Sequence, residues 1–334
     1  VSRWGLYLAT FALAVGLSAW LTPRMMRAAL RFGIVDRPDG RLKNHREPVP
    51  YLGGLAIYLS FLIALALTFS FSEEVLGLLL AGAIVVIVGL VDDLGQLGPG
   101  TKLVGQLVAV AVLIKSGIYI KLAFLPPEVT IPLSVLWLVG ITNAFNLIDV
   151  MDGLSAGTAA VASLTLFAVA EWNGNTTAAV LLAALAGSCL GFLRYNFYPA
   201  RIYMGDTGSL FLGLMLGALA MNNAYTERNT IAALAPALIL GVPLFDMLFV
   251  MYVRWRRGLP VMLGSPDHFA LRLRKWRLSI RQTVVLSYAA TALLGAAAVL
   301  MSLLDQTGAV IVLSSVAAAG LVSVFLLRKI DMSL

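Results

Sequence analysis

Ala81-Gly82-Ala83-Ile84-Val85-Val86-Ile87-Val88-Gly89-Leu90-Val91 runs without a polar side chain and stops on Asp92-Asp93-Leu94-Gly95. With Val75 to Leu80 ahead of it, the stretch reaches 17 residues, enough to cross about 30 Å of hydrocarbon as a helix. Ten more apolar runs flank it, at 4–21, 52–71, 102–118, 129–146, 154–171, 176–193, 207–223, 230–253, 282–303 and 307–327. Backbone polar groups inside a bilayer must be satisfied within the segment, which for apolar runs of this length means helices. The expected fold is therefore all-α and polytopic, one membrane domain over 1–334 with about eleven transmembrane helices. Pro126, Pro127 and Pro132 crowd the start of the fifth. The composition agrees: 60% hydrophobic, 12% charged and a mean hydropathy of +0.91 exclude a soluble domain.

Charge placement orients the chain. Twenty of the 24 Lys and Arg fall in one set of loops and the tail, and four on the other side. By the positive-inside rule the amino terminus is outside and the carboxyl terminus cytoplasmic. The cytoplasmic loops are then about 23–51, 92–101, 147–153, 194–206 and 254–281. The net charge of +7 reads as an orientation signal facing anionic lipid, with no need for nucleic acid. The first run ends in Thr22-Pro23-Arg24 rather than a small-residue cleavage site, and is expected to be a retained span.

Five aspartates, Asp92, Asp93, Asp149, Asp152 and Asp206, sit where apolar runs stop, all on the cytoplasmic side. Carboxylates gathered at a membrane edge are costly and mark function. A single cysteine, Cys189, and two histidines, His45 and His268, exclude a disulfide within the chain and a His- or Cys-rich metal site. A metal here would be held by oxygen, which suits Mg²⁺ or Mn²⁺.

Three motifs carry these acids. In Asp92-Asp93 the adjacent carboxylates repel, so the pair calls for a cation or a retained proton; Lys102 and Gln106 follow closely. Asn143, Asn146, Asp149 and Asp152 recur every three residues and form one polar ridge if the segment stays helical. Gly153 then allows the chain to break. In Tyr203-Met204-Gly205-Asp206-Thr207-Gly208-Ser209, Asp206 is placed to cap the following helix, and small residues at a helix start admit a phosphate.

Together with Pro48-Val49-Pro50, Gly53-Gly54, Asn196 and Pro243 to Asp246, these motifs resemble the polyprenyl-phosphate N-acetylhexosamine-1-phosphate transferase superfamily over roughly residues 36–282. The resemblance implies transfer of a sugar 1-phosphate from a UDP-sugar to undecaprenyl or another polyprenyl phosphate, with release of UMP, as the first step of a cell-envelope glycan in a bacterial inner membrane. It implies Mg²⁺ on Asp206, Asp92 or Asp93 acting on the lipid phosphate, and Lys102 on phosphate. It also places Asn146, Asp149, Asp152 and Asn196 at the nucleotide end, with Tyr203 stacking on uracil. Direct attack is favoured over a phospho-aspartyl intermediate, and a homodimer is compatible with the family.

Two departures stand out. Where glycan-initiating members carry His-x-His-His, this chain reads Asp267-His268-Phe269-Ala270-Leu271-Arg272, which keeps a histidine and the arginine expected to touch the donor. Tyr51 stands where many relatives have arginine. His45, in Arg41-Leu42-Lys43-Asn44-His45-Arg46, faces either the lipid phosphate or anionic headgroups. Asp246 is expected to support the site from inside the ninth span, or to anchor helices through an arginine. A membrane transporter with a cytoplasmic carboxylate site is the alternative, although the chain shows no internal repeat. A CDP-alcohol phosphotransferase and an intramembrane aspartyl protease lack their further motif residues here.

Overall fold

A computed structural model of the chain describes residues 2–36, 48–95, 97–260, 265–330 and 332. The helices are α1 (Arg3–Phe32), α2 (Gly53–Thr68), α3 (Glu73–Asp93), α4 (Pro99–Lys115), α5 (Pro127–Ile148), α6 (Leu154–Trp172), α7 (Thr176–Asn196), α8 (Gly205–Met221), α9 (Ala235–Ile239), α10 (Gly241–Arg256), α11 (Phe269–Lys275), α12 (Ile280–Leu303) and α13 (Gln306–Arg328). One departure from an all-helical chain is a two-residue antiparallel ribbon, β1 (Val35–Asp36) with β2 (Val49–Pro50), in which Asp36 pairs with Val49.

Local sequence sets the helix starts. Ser72 caps α3 through Val75 N, ahead of Glu73 and Glu74, whose charge suits a helix amino end. Ser279 and Gln282 form a reciprocal capping box on α12. Pro127 opens α5 at its first turn, where a missing N–H costs nothing, and Pro132 is carried inside the helix.

Each apolar run read from the sequence coincides with helix. By length and composition, however, seven helices among the described residues qualify as membrane spans, or eight if the bent pair Ile231–Ile239 and Gly241–Arg256 counts as one. α2 and α8, with 16 and 17 residues, are only about 24–26 Å long, short of about 30 Å of hydrocarbon. Both begin at one place, where Gly53 and Gly54 bond the Tyr203 and Met204 backbone just ahead of α8. α7 and α8 form the centre: every residue of α8 from Thr207 to Ala220 is buried. α13 lies at the periphery, with only Ala309 and Leu327 buried.

Candidate active site

Glycines bring three helices into backbone contact around the start of α8. A Cβ on Gly54 in α2 would collide with the Gly208 backbone, and one on Gly89 in α3 would lie 2.5 Å from the Thr207 backbone. Gly53 N and Gly54 N donate to the carbonyls of Tyr203 and Met204 at 3.0 and 2.9 Å, and Tyr203 N donates to Pro50 O at 2.9 Å. Gly205 holds φ +69 with the Asp93 carboxylate against its Cα, a place with room for no side chain.

This close approach divides Asp92 from Asp93. Asp93 Oδ1 accepts from Asp206 N at 2.7 Å, while Oδ2 accepts from Thr207 N at 3.1 Å and Thr207 Oγ1 at 2.6 Å. Asp93 therefore caps α8 from another helix. Asp206, the residue the sequence places as the cap, is released into the site instead. Its carboxylate takes Lys102 Nζ on Oδ2 and Asn146 Nδ2 on Oδ1, the latter at 2.8 Å. Lys102 Nζ also reaches Asp92 Oδ2 at 3.0 Å and Asn146 Oδ1 at 3.2 Å. One ammonium thus links α3, α5 and α8. Asn146 adds a bond to Ser209 at 3.0 Å, and Gln106 pairs with Asn143 one turn away at 2.7 Å.

The polar ridge holds for Asn143 and Asn146, which face α4 and α8, and then breaks. α5 ends at Ile148, Asp149 leaves helical geometry at ψ 51, and Gly153 turns through φ +77. Asp152 Oδ2 accepts from Ala200 N at 2.9 Å. Asn196 is buried and committed within the protein, accepting from Gly153 N at 3.0 Å and donating to Ile202 O at 2.9 Å. Asp149 stands at the centre of the negative field: burial, then Asp206, Asp93 and Asp152, push its carboxyl up to about 8. Tyr203 lies beside Tyr51, with ring centroids 6.1 Å apart and planes at 51°. Burial, then the charges of Asp152, Asp36 and Asp149, push the Tyr203 phenol up to about 12. Burial and Asp36, which is hydrogen-bonded to Tyr51, push the Tyr51 phenol up as well. Both remain hydrogen-bond donors at neutral pH. Asp36 is a site residue that the motifs do not single out, and it stands beside Tyr51, the departure noted in the sequence.

A second charged group joins α10, α11 and the end of α13. His268 Nδ1 meets Asp246 Oδ2 at 2.6 Å, and Phe269 N donates to Asp246 Oδ1 at 2.8 Å. Asp246 therefore pairs with histidine, and not with the arginine expected from the sequence. Arg272 is 1% exposed. Its guanidinium is used on Asp267 Oδ1 at 2.5 Å, Leu327 O at 3.0 Å and Ile330 O at 2.8 Å. The sequence places Arg272 on the donor; here it ties α11 to the end of α13. His45 lies outside the described residues.

Among the described residues no three His, Cys, Asp or Glu side chains group as a ready metal cage. The donors are carboxylate and amide oxygens, with Lys102 as the cation between Asp92 and Asp206. Such a set suits Mg²⁺, which binds through one or two carboxylates and completes its shell with phosphate and water.

The profile of glycosyl transferase family 4 matches residues 75–224, which contain this cluster. The chain is 36% identical to the probable undecaprenyl-phosphate N-acetylglucosaminyl 1-phosphate transferase of Bacillus subtilis, over 80% of this chain and 77% of that protein. It is 33% identical to the decaprenyl-phosphate N-acetylglucosaminephosphotransferase of Mycolicibacterium smegmatis, over 90% and 84%. To the phospho-N-acetylmuramoyl-pentapeptide-transferase of Heliobacterium modesticaldum it is 34% identical, over 85% and 93%.

Proposed function

The chain belongs to glycosyl transferase family 4, and we propose that it moves an N-acetylhexosamine 1-phosphate from a UDP-sugar to a polyprenyl phosphate at the cytoplasmic face of a bacterial inner membrane. A lipid phosphate oxygen attacks the sugar-bearing phosphorus of the donor. The bond from that phosphorus to the bridging oxygen breaks, UMP leaves, and a polyprenyl pyrophosphoryl sugar remains. The observation that supports this best is the single ammonium of Lys102 shared by Asp92, Asp206 and Asn146. Phosphoryl transfer needs charge neutralisation and alignment more than covalent help from the protein, and here cation and carboxylates are held at one point by four helices.

The geometry and the family resemblance together support the following roles. Asp92 positions the lipid phosphate and accepts its proton if one is present. Lys102 exchanges part of its carboxylate contact for phosphate. Asp206 would hold Mg²⁺ or Mn²⁺, which would complete its shell with phosphate and water and supply Lewis acidity on the diphosphate. Asp93 acts through α8, fixing the backbone on which Asp206 stands. Asp149 and Asp152 face the nucleotide end, Tyr203 beside Tyr51 gives an aromatic surface for uracil, and Asn196 steadies the turn. His268, fixed by Asp246, belongs to the loop that meets the donor. The relatives named above favour UDP-N-acetylglucosamine as the first donor to test, and the family gives no support to the transporter alternative.

Purified protein with Mg²⁺ and undecaprenyl phosphate should release UMP from one member of a UDP-sugar panel and form a lipid-linked product. Release from none of them defeats the reading.

A further inference from the structure

The five residues between α5 and α6, 149–153, carry two of the site aspartates and are held by a helix from which the motifs draw no site residue. The Tyr288 hydroxyl, on α12, donates to Gly153 O at 2.5 Å. On its other side Gly153 N donates to Asn196 Oδ1 at 3.0 Å. Both polar groups of the residue directly after Asp152 are thus gripped by side chains from different helices. The left-handed backbone of Gly153, φ +77, gives the turn its direction, and these two bonds fix it.

The neighbourhood is shaped for this contact. A Cβ on Gly157, one turn into α6, would run into the Tyr288 ring and hydroxyl, so the absent side chain leaves the channel through which the phenol reaches Gly153. Gly157 N donates to the same carbonyl at 3.1 Å. A carbonyl oxygen has two lone pairs, and both are used here. Removing the phenol oxygen therefore orphans no buried acceptor, because the helical bond remains. The contact adds little that α6 needs in order to fold, and much to where the turn sits.

We propose that Tyr288 is a positioning residue for the donor half of the site, setting Asp149 and Asp152 through the Gly153 carbonyl. The inference rests on the reading of those aspartates as the nucleotide end. It predicts a selective effect, since the lipid-phosphate half, Asp92 with Lys102, hangs on α3 and α4 and does not share this turn.

The test uses the full chain in detergent with Mg²⁺, undecaprenyl phosphate and the UDP-sugar that the wild type accepts. Tyr288→Phe should lower kcat/KM for the donor by roughly five- to twentyfold, the loss of one well-placed hydrogen bond, with KM for undecaprenyl phosphate unchanged. Gly157→Ala, which pushes the ring out of its channel, should reproduce the donor-specific loss. Hydrogen exchange of the amides over 150–157 should be faster in Tyr288→Phe. Unchanged donor kinetics, or an equal loss for both substrates, overturns the proposal. If the wild type releases no UMP from any donor, the reading of the reaction falls and exchange alone decides: faster exchange upholds the clamp, and unchanged exchange rejects it.

Discussion

The cluster of Asp92, Asp93, Lys102 and Asp206 and the cluster of Asp246, Asp267, His268 and Arg272 use the same kinds of side chain in opposite ways. In the first, one ammonium serves two carboxylates while a third caps a helix, and the ion-paired side chains are 15–29% exposed. In the second, Asp246 has His268, and Asp267 has Arg272 with Arg257 and Ser265 besides; Asp246, His268, Asp267 and Arg272 are at most 4% exposed, and Arg272 spends its further donors on backbone. Surplus negative charge within reach of water favours a further cation and the phosphates it brings. Balanced charge away from water joins helices. Partner number and exposure separate a place for substrate from a brace, where residue type alone does not.

Substitutions can break this contrast. Asp206→Asn, which keeps the shape and removes the charge, should cut Mg²⁺-dependent UMP release by about a thousandfold or more, with the melting temperature little changed. Near-normal turnover removes Asp206 from the chemistry. Arg272→Met leaves Asp267 with Arg257 and Ser265 but removes the ties to Leu327 and Ile330, and should cost about 2 kcal/mol of stability, read as a lower melting temperature in detergent, while the folded fraction turns over normally. A loss of donor affinity with stability intact would instead restore Arg272 to the donor. Asp93→Ala removes the cap of α8 and should cost about 1–2 kcal/mol, and Asp93→Asn less, since one acceptor oxygen survives.

A pH series sharpens the contrast from another side. The Asp149 carboxyl is pushed up to about 8 in the fold, against about 4 in an unfolded chain. The unfolded state therefore loses its proton first, and the contribution present below pH 4 is lost as pH rises through about 8. Asp149→Asn cannot ionise. Without metal or donor, its melting temperature should exceed that of the wild type by a margin that grows from pH 4 to pH 8 and then levels. A constant margin would place Asp149 outside the negative field of the first cluster.

Much of this was legible in the chain. Long apolar runs dictate helices because a bilayer leaves the backbone no other partner, and each run is helical. Two of the acids at their ends, Asp92 and Asp206, meet on Lys102 together with Asn146. Asp92 and Asp93 could not be told apart, because what separates neighbours about 100° apart on a helix is the helix that each one meets. Three-residue spacing carried the ridge past its end, since periodicity does not show that α5 stops at Ile148. The ribbon bearing Asp36 is two residues per strand, too short for any alternation to register. Tyr288 lies within an apolar run, where its hydroxyl is indistinguishable from that of any aromatic in lipid.

Gly54, Gly89 and Gly205 together have a kinetic meaning. With no side chains between them, the backbones of α2, α3 and α8 touch at the start of α8, so the amides and carboxylates there have little freedom to rotate when a new charge appears. In water, the solvent dipoles around a migrating phosphoryl group must turn at every event; here the dipoles are already oriented when the two substrates meet, and the reorganisation energy of the step falls accordingly.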